Sequence, residues 1–333
     1  MTTGRTAGSV SDPLRDAFVV GQRSFYVRMG RNLAWFVRRK KLATIGAVFA
    51  LAVTLVGVFG PHLAPYGKDD VFSEQNPNYD PDNSDPANLQ ASNPSRLALL
   101  ADPSWDHPLG TDAFGRDLLT RMVHGARLSV TVGIGAAAVA AVVGGIIGIV
   151  SGYLGGRVDL AIQRVVDALL AIPALVLLLL LVQTGEPSTR LTITALAVLG
   201  VGPVTRIVRS ATLVLRSEMF VEAARSLGAG ERRIMIRHIA PNVVGPMIVI
   251  FSASIGTNIL AEAGLSFLNL SVPGPSWGRM VADGRAFLDS KPLMSFAGGG
   301  AITIAVLGFN LLGDGLRDVL DPRQRGAGMG PGS

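Results

Sequence analysis

Long apolar runs, separated by short polar stretches, dominate the pattern along this chain. A helix needs about 20 apolar residues to cross the hydrocarbon core of a bilayer. Because several runs reach or approach that length, the pattern predicts an all-α, polytopic membrane protein with six transmembrane helices. The predicted spans are approximately residues 42–62, 127–151, 161–183, 191–210, 243–267 and 296–316.

The remaining segments divide the chain into predicted regions. The polar segment 1–41 ends in "RRKK", and the apolar run that follows is too long and starts too late for a cleaved signal peptide. It is therefore interpreted as the first span, 42–62. The segment 63–126, rich in Pro, Asn, Asp and Ser, predicts an irregular external loop. Next come a five-helix core, 127–316, which includes a loop at 211–242, and a tail, 317–333.

Glycine and proline mark special positions inside two spans. Pro173 interrupts the third span and predicts a kink or a local break. The second span carries four glycines at intervals of four residues, which places them on one helix face and permits close backbone approach. That face packs either within this chain or against another subunit; both interpretations stay open. The glycines are Gly144, Gly148, Gly152 and Gly156.

Composition agrees with a lipid environment. Only 16% of the residues are charged, whereas a soluble domain has about a quarter. The net charge is +6, and the arginines cluster beside the apolar runs. The sequence has no surface of interleaved aromatic and basic residues on which nucleic-acid bases could stack. Basic residues concentrate in the segments 211–242 and 317–333, so the positive-inside rule predicts cytoplasmic N- and C-termini.

The chain lacks the motifs of several enzyme classes. It has no phosphate-binding G-x-x-x-x-G-K-[ST] loop, no H-E-x-x-H zinc motif and no G-x-S-x-G nucleophile motif, and its four histidines are scattered. With no cysteine, thiolate metal sites and disulfides are excluded. No catalytic, cofactor-binding or metal-binding residue is therefore predicted in this chain.

A charged interlude, "VEAARSLGAGERRIMIRHIAPN" at 221–242, separates two spans. Ser217 is the expected N-cap of a first short helix, and Glu222 and Arg225 are spaced to pair. Gly228 is expected to break that helix, and Pro241 to end or bend a second one. An amphipathic helix on the lipid surface is one interpretation. Small residues and a tight turn favour docking into a protein cleft instead.

Polar residues within the spans raise a second question. Asp167 is expected to pair with Arg164 near the inner interface. Asn258 and Glu262 are the candidates for lining a transport pathway, because polar groups inside a membrane usually face protein or water. Glu262 has no local basic partner, and it lines the pathway or faces an external binding protein.

The charged interlude and four further motifs resemble the permeases of ABC importers. "EAARSLGAGERRIMIRHIAPN" resembles their E-A-A cytoplasmic loop. The other motifs resemble the second membrane subunit of dipeptide/oligopeptide permeases, in the order found there. They are "HPLGTDAFGRDLLTRMVHGARLSVTVG" (107–133), "GYLGGRVDLAIQRVVDALLAIP" (152–173), "LAEAGLSFLNLSVPGPSWGRMV" (260–281) and "FNLLGDGLRDVLDPR" (309–323).

The resemblance implies a type I ABC-importer permease fold in a bacterial inner membrane. It implies a heterodimer with a homologous sister permease, two ABC ATPase subunits or one fused ATPase, and an external substrate-binding protein. ATP and Mg²⁺ would be bound by the ATPase partners. The loop would dock into the ATPase as a coupling helix, through Glu222, Ala223, Ala224, Arg225, Leu227, Gly228, Arg232 and Arg233.

Peptides are the expected substrates, again from the resemblance. The same architecture importing nickel, haem or another small solute remains an alternative, although no histidine or methionine ring in the spans indicates a metal. Two alternatives come from other classes, namely a carrier that uses no ATPase and an intramembrane enzyme. The carrier would have no use for a docking loop, and the enzyme would need paired catalytic groups on facing spans, which the sequence does not offer.

Overall fold

The computed structural model describes residues 40–75 and 95–320, so the predictions for most of segment 1–41, for residues 76–94 and for the end of the tail lie outside it. The chain is mainly helical. The helices are α1 (Lys41–Leu63), α2 (Leu118–Leu154), α3 (Gly156–Ala171), α4 (Ala174–Val182), α5 (Thr189–Arg216), α6 (Met219–Ser226), α7 (Glu231–Ile234), α8 (Ala240–Phe267), α9 (Trp277–Gly284) and α10 (Leu293–Leu320).

Helices of membrane-spanning length account for five of the predicted spans. They are α1, α2, α5, the continuous helix from α7 through α8, and α10. The third predicted span is a pair of helices, α3 and α4, bent by 87°. The break lies at Pro173, which precedes the first residue of α4. Proline has no backbone N–H and disfavours helical geometry in the residue before it, so the break is confirmed with its expected cause.

The predicted glycine face packs against α5 of the same chain. Ideal Cβ atoms built at Gly144, Gly148 and Gly152 would each lie 2.8 Å from a Cβ of α5. The closeness of these backbones favours packing within the chain. Gly156 is not part of this face, because the backbone leaves α2 at Gly155 and Gly156 begins α3 with φ +54°.

Helix α2 begins within the segment interpreted as an external loop. The carboxylate of Asp117 accepts the backbone N–H of Thr120 at 2.7 Å and caps the helix N-terminus. The first turns contain Thr120 and Arg121, both buried although polar. Hydropathy alone places the start of this helix too late. The loop before it carries an antiparallel pair of strands, β1 (Ser73–Gln75) and β2 (Ser95–Leu97).

The long helices have two common ends. At one, here called the loop end, α2 finishes beside α6, and Lys40 before α1 forms an ion pair of 2.6 Å with Asp318 of α10. At the other, the far end, the last turns of α1 pack against the first turns of α2, where Gly57 approaches Ala126. The far end also holds the turn between α4 and α5 and the helix α9.

Candidate functional site

The charged interlude folds into α6, a tight turn and α7 at the loop end. Helix α5 continues to Arg216, and Ser217 caps its C-terminus, with the hydroxyl donating to the Val214 carbonyl oxygen at 2.9 Å. The expectation that Ser217 caps α6 is therefore wrong. Glu218 occupies that position, without a side-chain cap. Serine serves either role, and where the preceding helix stops decides which.

Gly228 makes the turn between α6 and α7. Its φ is +79°, a conformation that glycine adopts without steric penalty. The N–H of Gly228 bonds to the Arg225 carbonyl oxygen, and the N–H of Ala229 bonds to that of Ala224. This pair of bonds is the Schellman arrangement, which satisfies the last carbonyls of a helix. The predicted glycine break is confirmed, and it stops α6 sharply.

One face of α6 is bound to the rest of the chain. Val221 is fully buried and Ala224 nearly so, in one cluster with Ile234, Ile239 and Val243. The cluster also includes side chains from α2 and α5. The two alanines of the E-A-A motif therefore point in different directions, since Ala223 is exposed while Ala224 packs inward.

The opposite face of α6 is exposed and partly apolar. Met219 is 83% exposed and Leu227 is 88% exposed, and Ala223 lies between them. Large apolar side chains that are exposed together on one helix face typically mark a contact surface. This set of residues is called the docking face below, after the role that is proposed for it. Charged members of the same exposed surface are Glu222, Arg232 and Arg233.

Tyr153, at the end of α2, connects both parts of the interlude. Its hydroxyl donates to the carboxylate of Glu231 in α7 and accepts from the Arg225 guanidinium in α6 at 3.5 Å. The predicted pairing of Arg225 with Glu222 is wrong, because no ion pair joins them in the described part of the chain. Sequence reasoning missed Tyr153, which lies 78 positions before Glu231.

Tyr153→Phe is expected to loosen the interlude locally. The exchange removes one hydroxyl from a buried ring and leaves the packing in place, so the two helices lose about 1 kcal/mol of shared stabilisation. Hydrogen exchange of the amides in 219–234 should accelerate by a few fold, measured by mass spectrometry. The matched control is Tyr66→Phe, whose hydroxyl donates to the Asp106 carbonyl oxygen at the far end. Equal exchange in both variants would rule out the anchoring role of Tyr153.

Helix α7 runs without interruption into α8 through a wide π-helical turn, Met235–Ile239. The N–H of Ala240 bonds to the carbonyl oxygen of Met235, five residues earlier. A wider turn relieves the clash that the ring of Pro241 would otherwise make with the preceding turn. Of the two alternatives predicted for Pro241, the end of the second helix is wrong, because the helix continues past this residue. Helix α7 and the membrane span α8 form one continuous helix.

The structure separates the two pathway candidates. Asn258 lines a largely apolar cavity of about 580 Å³ between α4, α5 and α8, together with Ala174 and Leu175 beyond the break at Pro173. Its side-chain amide donates to the Gly133 carbonyl oxygen at 3.4 Å. Asn258 is therefore placed where a passing molecule can contact it, and its role in a pathway stays a prediction.

Glu262 is enclosed by protein. The residue is 0% exposed, and its carboxylate accepts hydrogen bonds from the hydroxyls of Ser129 at 2.8 Å and Ser266 at 2.6 Å, with Ser271 at 3.4 Å. A buried carboxylate that is bonded in this way joins α2 to α8. The structure thus favours a packing role for Glu262 over contact with substrate. Asp167 likewise has a tertiary partner, Arg206 at 2.6 Å, instead of Arg164.

Comparison with known protein families gives two matches along the chain. Residues 144–326 match the family described as the binding-protein-dependent transport system inner membrane component. Residues 33–89 match the N-terminal transmembrane domain of oligopeptide transport permease C. Together they include the charged interlude and every predicted span except part of the second.

Several curated proteins are similar over most of their length. The dipeptide transport system permease protein DppC of Alkalihalophilus pseudofirmus is 38% identical over 87% of this chain and 88% of its own. The oligopeptide transport system permease protein OppC of Bacillus subtilis is 37% identical over 86% and 88%. The glutathione transport system permease protein GsiD of Escherichia coli is 35% identical over 87% and 89%.

Proposed function

This chain belongs to the family of binding-protein-dependent transport system inner membrane components, and we propose that it imports di- and oligopeptides by coupling to separate ATPase subunits through residues 217–241. The family makes it the permease subunit of an ABC-type importer. A partner ATPase and an external substrate-binding protein follow from that membership. The sister permease, the peptide and the docking residues are parts of the proposal.

The observation that carries the coupling proposal is the two-sided nature of α6. Val221 and Ala224 fix one face to the membrane helices, whereas Met219 and Leu227 present apolar side chains outward. A helix that only bound lipid would not need a fixed inner face and a Schellman turn. An exposed apolar helix face whose opposite face is packed against the membrane helices is suited to insertion into a cleft of a protein partner.

The same contacts give a route for movement. When two ATPase subunits close on ATP, a helix seated in each is displaced with them. Helix α6 is held to α2 through Tyr153, and α7 continues directly into α8. A displacement of the docking face therefore moves spans as rigid bodies. In this proposal, that tilt opens the pathway alternately to the two sides of the membrane.

The orientation follows from the position of the docking face. The proposed ATPases lie in the cytoplasm, so the loop end faces inward, and both termini are cytoplasmic. Two observations support this. Arg225, Arg232 and Arg233 all lie at the loop end, as the positive-inside rule requires. The ion pair between Lys40 and Asp318 brings the first and last helices to that same end.

Peptide is the substrate class that the relatives favour. Two of the similar permeases are named for dipeptides and oligopeptides, and the third for glutathione, which is itself a tripeptide. The cavity that Asn258 lines is broad and apolar and has few polar groups, as expected for tolerance of varied side chains. Import of nickel, haem or another small solute by the same architecture is the competing hypothesis.

The test is purification of this chain after expression with its genomic neighbours, followed by ATPase assays. The assays contain the external binding protein and a panel of di- to pentapeptides, or Ni²⁺. Co-purification of an ATPase and a sister permease, with hydrolysis stimulated by peptide, is the expected result. Stimulation by metal alone would retain the architecture and refute peptide transport. A chain that purifies without an ATPase would refute the coupling proposal.

Glu222→Ala tests the polar part of the docking surface. Glu222 is exposed on α6, so its removal should leave folding unchanged and weaken ATPase binding several fold, as truncation of an interface charge does. The measurement is the yield of co-purified ATPase, together with coupled hydrolysis. Glu186→Ala is the matched control, because Glu186 is an exposed carboxylate at the far end. If both variants behave as wild type, Glu222 is simply a solvated charge.

A further inference from the structure

A second cavity, of about 500 Å³, lies at the far end, away from the docking face, and shares no lining residue with the cavity of Asn258. Its wall combines the segment before α2, the first turn of α2, the loop after α8, and α9. Unlike the apolar cavity between the spans, it is lined by charged groups. Those that matter below are Arg116, Arg121, Arg279 and Asp283.

Two arginines on this wall have unused hydrogen-bond donors. Arg121 is only 3% exposed, and its Nη1 group has no acceptor within the described ranges. The Nε group of Arg279 is also buried and lacks an acceptor among the same residues. Buried guanidinium donors are rarely left without partners, because the loss of hydration is not compensated. Both arginines line the cavity, but the two atoms without acceptors are themselves closed to water, so a ligand reaches them only when the guanidinium groups turn toward the cavity.

The nearest carboxylate is already engaged. One oxygen of Asp112 accepts the backbone N–H groups of Phe114 and Arg116, at 2.8 and 3.0 Å. Its other oxygen accepts from Nε of Arg116 at 2.8 Å and lies 3.4 Å from Nε of Arg121. Asp112 thus fixes the orientation of Arg121 through Nε and leaves its Nη1 group unused.

The charges of the cavity do not balance. Arg116, Arg121 and Arg279 are opposed by Asp112 and Asp283, which leaves one positive charge. Asp283 forms no ion pair among the described residues. Burial raises the pKa of its carboxyl group, and the positive charges of Arg121 and Arg279 act in the opposite direction without outweighing burial. On the rim, Lys68 and Asp69 lie 3.8 Å apart and offset each other. A single negative charge would complete the site.

We propose that this cavity binds the carboxylate of a small ligand through the guanidinium groups of Arg121 and Arg279, which turn toward it so that their unpaired N–H donors gain an acceptor. Guanidinium groups match the planar, two-oxygen geometry of a carboxylate. The volume is much larger than a carboxylate needs and lies within the usual range for small-ligand sites. A free peptide C-terminus and a simple organic acid offer the same group. The inference that the ligand is a peptide rests on the proposed function, whereas the inference that the cavity binds a carboxylate does not.

The test compares a free acid with its amide. The full chain in lipid nanodiscs is titrated by calorimetry with trialanine, with trialanine amide and with acetate at constant pH and salt. Trialanine is expected to bind about tenfold or more tightly than its amide, because the amide offers no charge to the arginines. If acetate binds as tightly as trialanine, the site accepts any isolated carboxylate. Equal binding of acid and amide, or no saturable binding of either acid, would overturn the proposal.

Variants locate the binding. Arg279→Gln should weaken trialanine binding about tenfold without changing amide binding, and it avoids the more deeply buried Arg121, whose replacement risks misfolding. Asp283→Asn should strengthen binding of the acid, since it removes a competing carboxylate. Arg285→Gln is the control, an exposed arginine beside α9 that packs over Phe267 outside this cavity. An Arg279 variant with unchanged acid binding would contradict the site, whether or not an ATPase co-purifies.

Discussion

Gly228→Val is expected to abolish coupled uptake while leaving membrane insertion intact. At φ +79° a valine is strained by about 1–3 kcal/mol, and the Schellman bonds that stop α6 are lost when the backbone relaxes. An ideal Cβ at this position would meet no atom within 4 Å, so the effect is conformational rather than a collision. A docking face in the wrong orientation should reduce ATPase co-purification and uptake into proteoliposomes at least about tenfold.

Gly230→Val is the matched control for this prediction. Gly230 lies two residues away, also has open space where a Cβ would lie, and has φ −67° with ψ 154°, which valine adopts readily. Gly228→Asn should retain part of the activity, because asparagine tolerates positive φ better than valine does. Normal uptake by Gly228→Val would show that the turn is not needed for coupling.

Gly148→Val is expected to prevent correct folding of the membrane helices. A Cβ at Gly148 would lie 2.8 Å from both the Thr205 carbonyl oxygen and the Cβ of Val208. Backbone atoms cannot rotate away as a flexible side chain can, so α2 and α5 must separate. Overpacking of this kind costs about 1–3 kcal/mol or more. Gly144 and Gly152 meet α5 in the same manner, so the separation would also disrupt their contacts.

The measurement is the yield of monodisperse protein after detergent extraction, with its melting temperature. Gly300→Val is the control, because Gly300 is a helical glycine in α10 with no neighbour within 4 Å of a built Cβ. Both variants change helix propensity equally, so any difference between them reports packing. Equal yields and melting temperatures would show that the glycine face of α2 is not a close contact.

The candidate site was predictable where its geometry is local. Gly228 was identified as the turn because few residues other than glycine favour positive φ, and a short helix preceded it. Helical periodicity also places Met219, Ala223 and Leu227 on one side of the helix, whereas the exposure of that side comes from the structure. Ser217 was misassigned because a serine between two helices suits either one, and the actual end of α5 decided the outcome.

Partners distant in sequence were not predictable. Arg225 has a plausible local neighbour in Glu222, yet it bonds to Tyr153, which lies 72 positions away. Local spacing offers only candidates three or four residues apart. Tyr153 comes close to Arg225 only through the tertiary fold, and their hydrogen bond links α6 to the membrane span α2.

By itself, the sequence determined the apolar spans, the break at Pro173 and the glycine turn at Gly228, because hydropathy, proline sterics and glycine φ are properties of neighbouring residues. The tertiary structure decided that the glycines of α2 meet α5, that three serines enclose Glu262, and that Asp167 pairs with Arg206. Those outcomes depend on which helix faces come together, and that is decided only when segments far apart in the chain pack against each other.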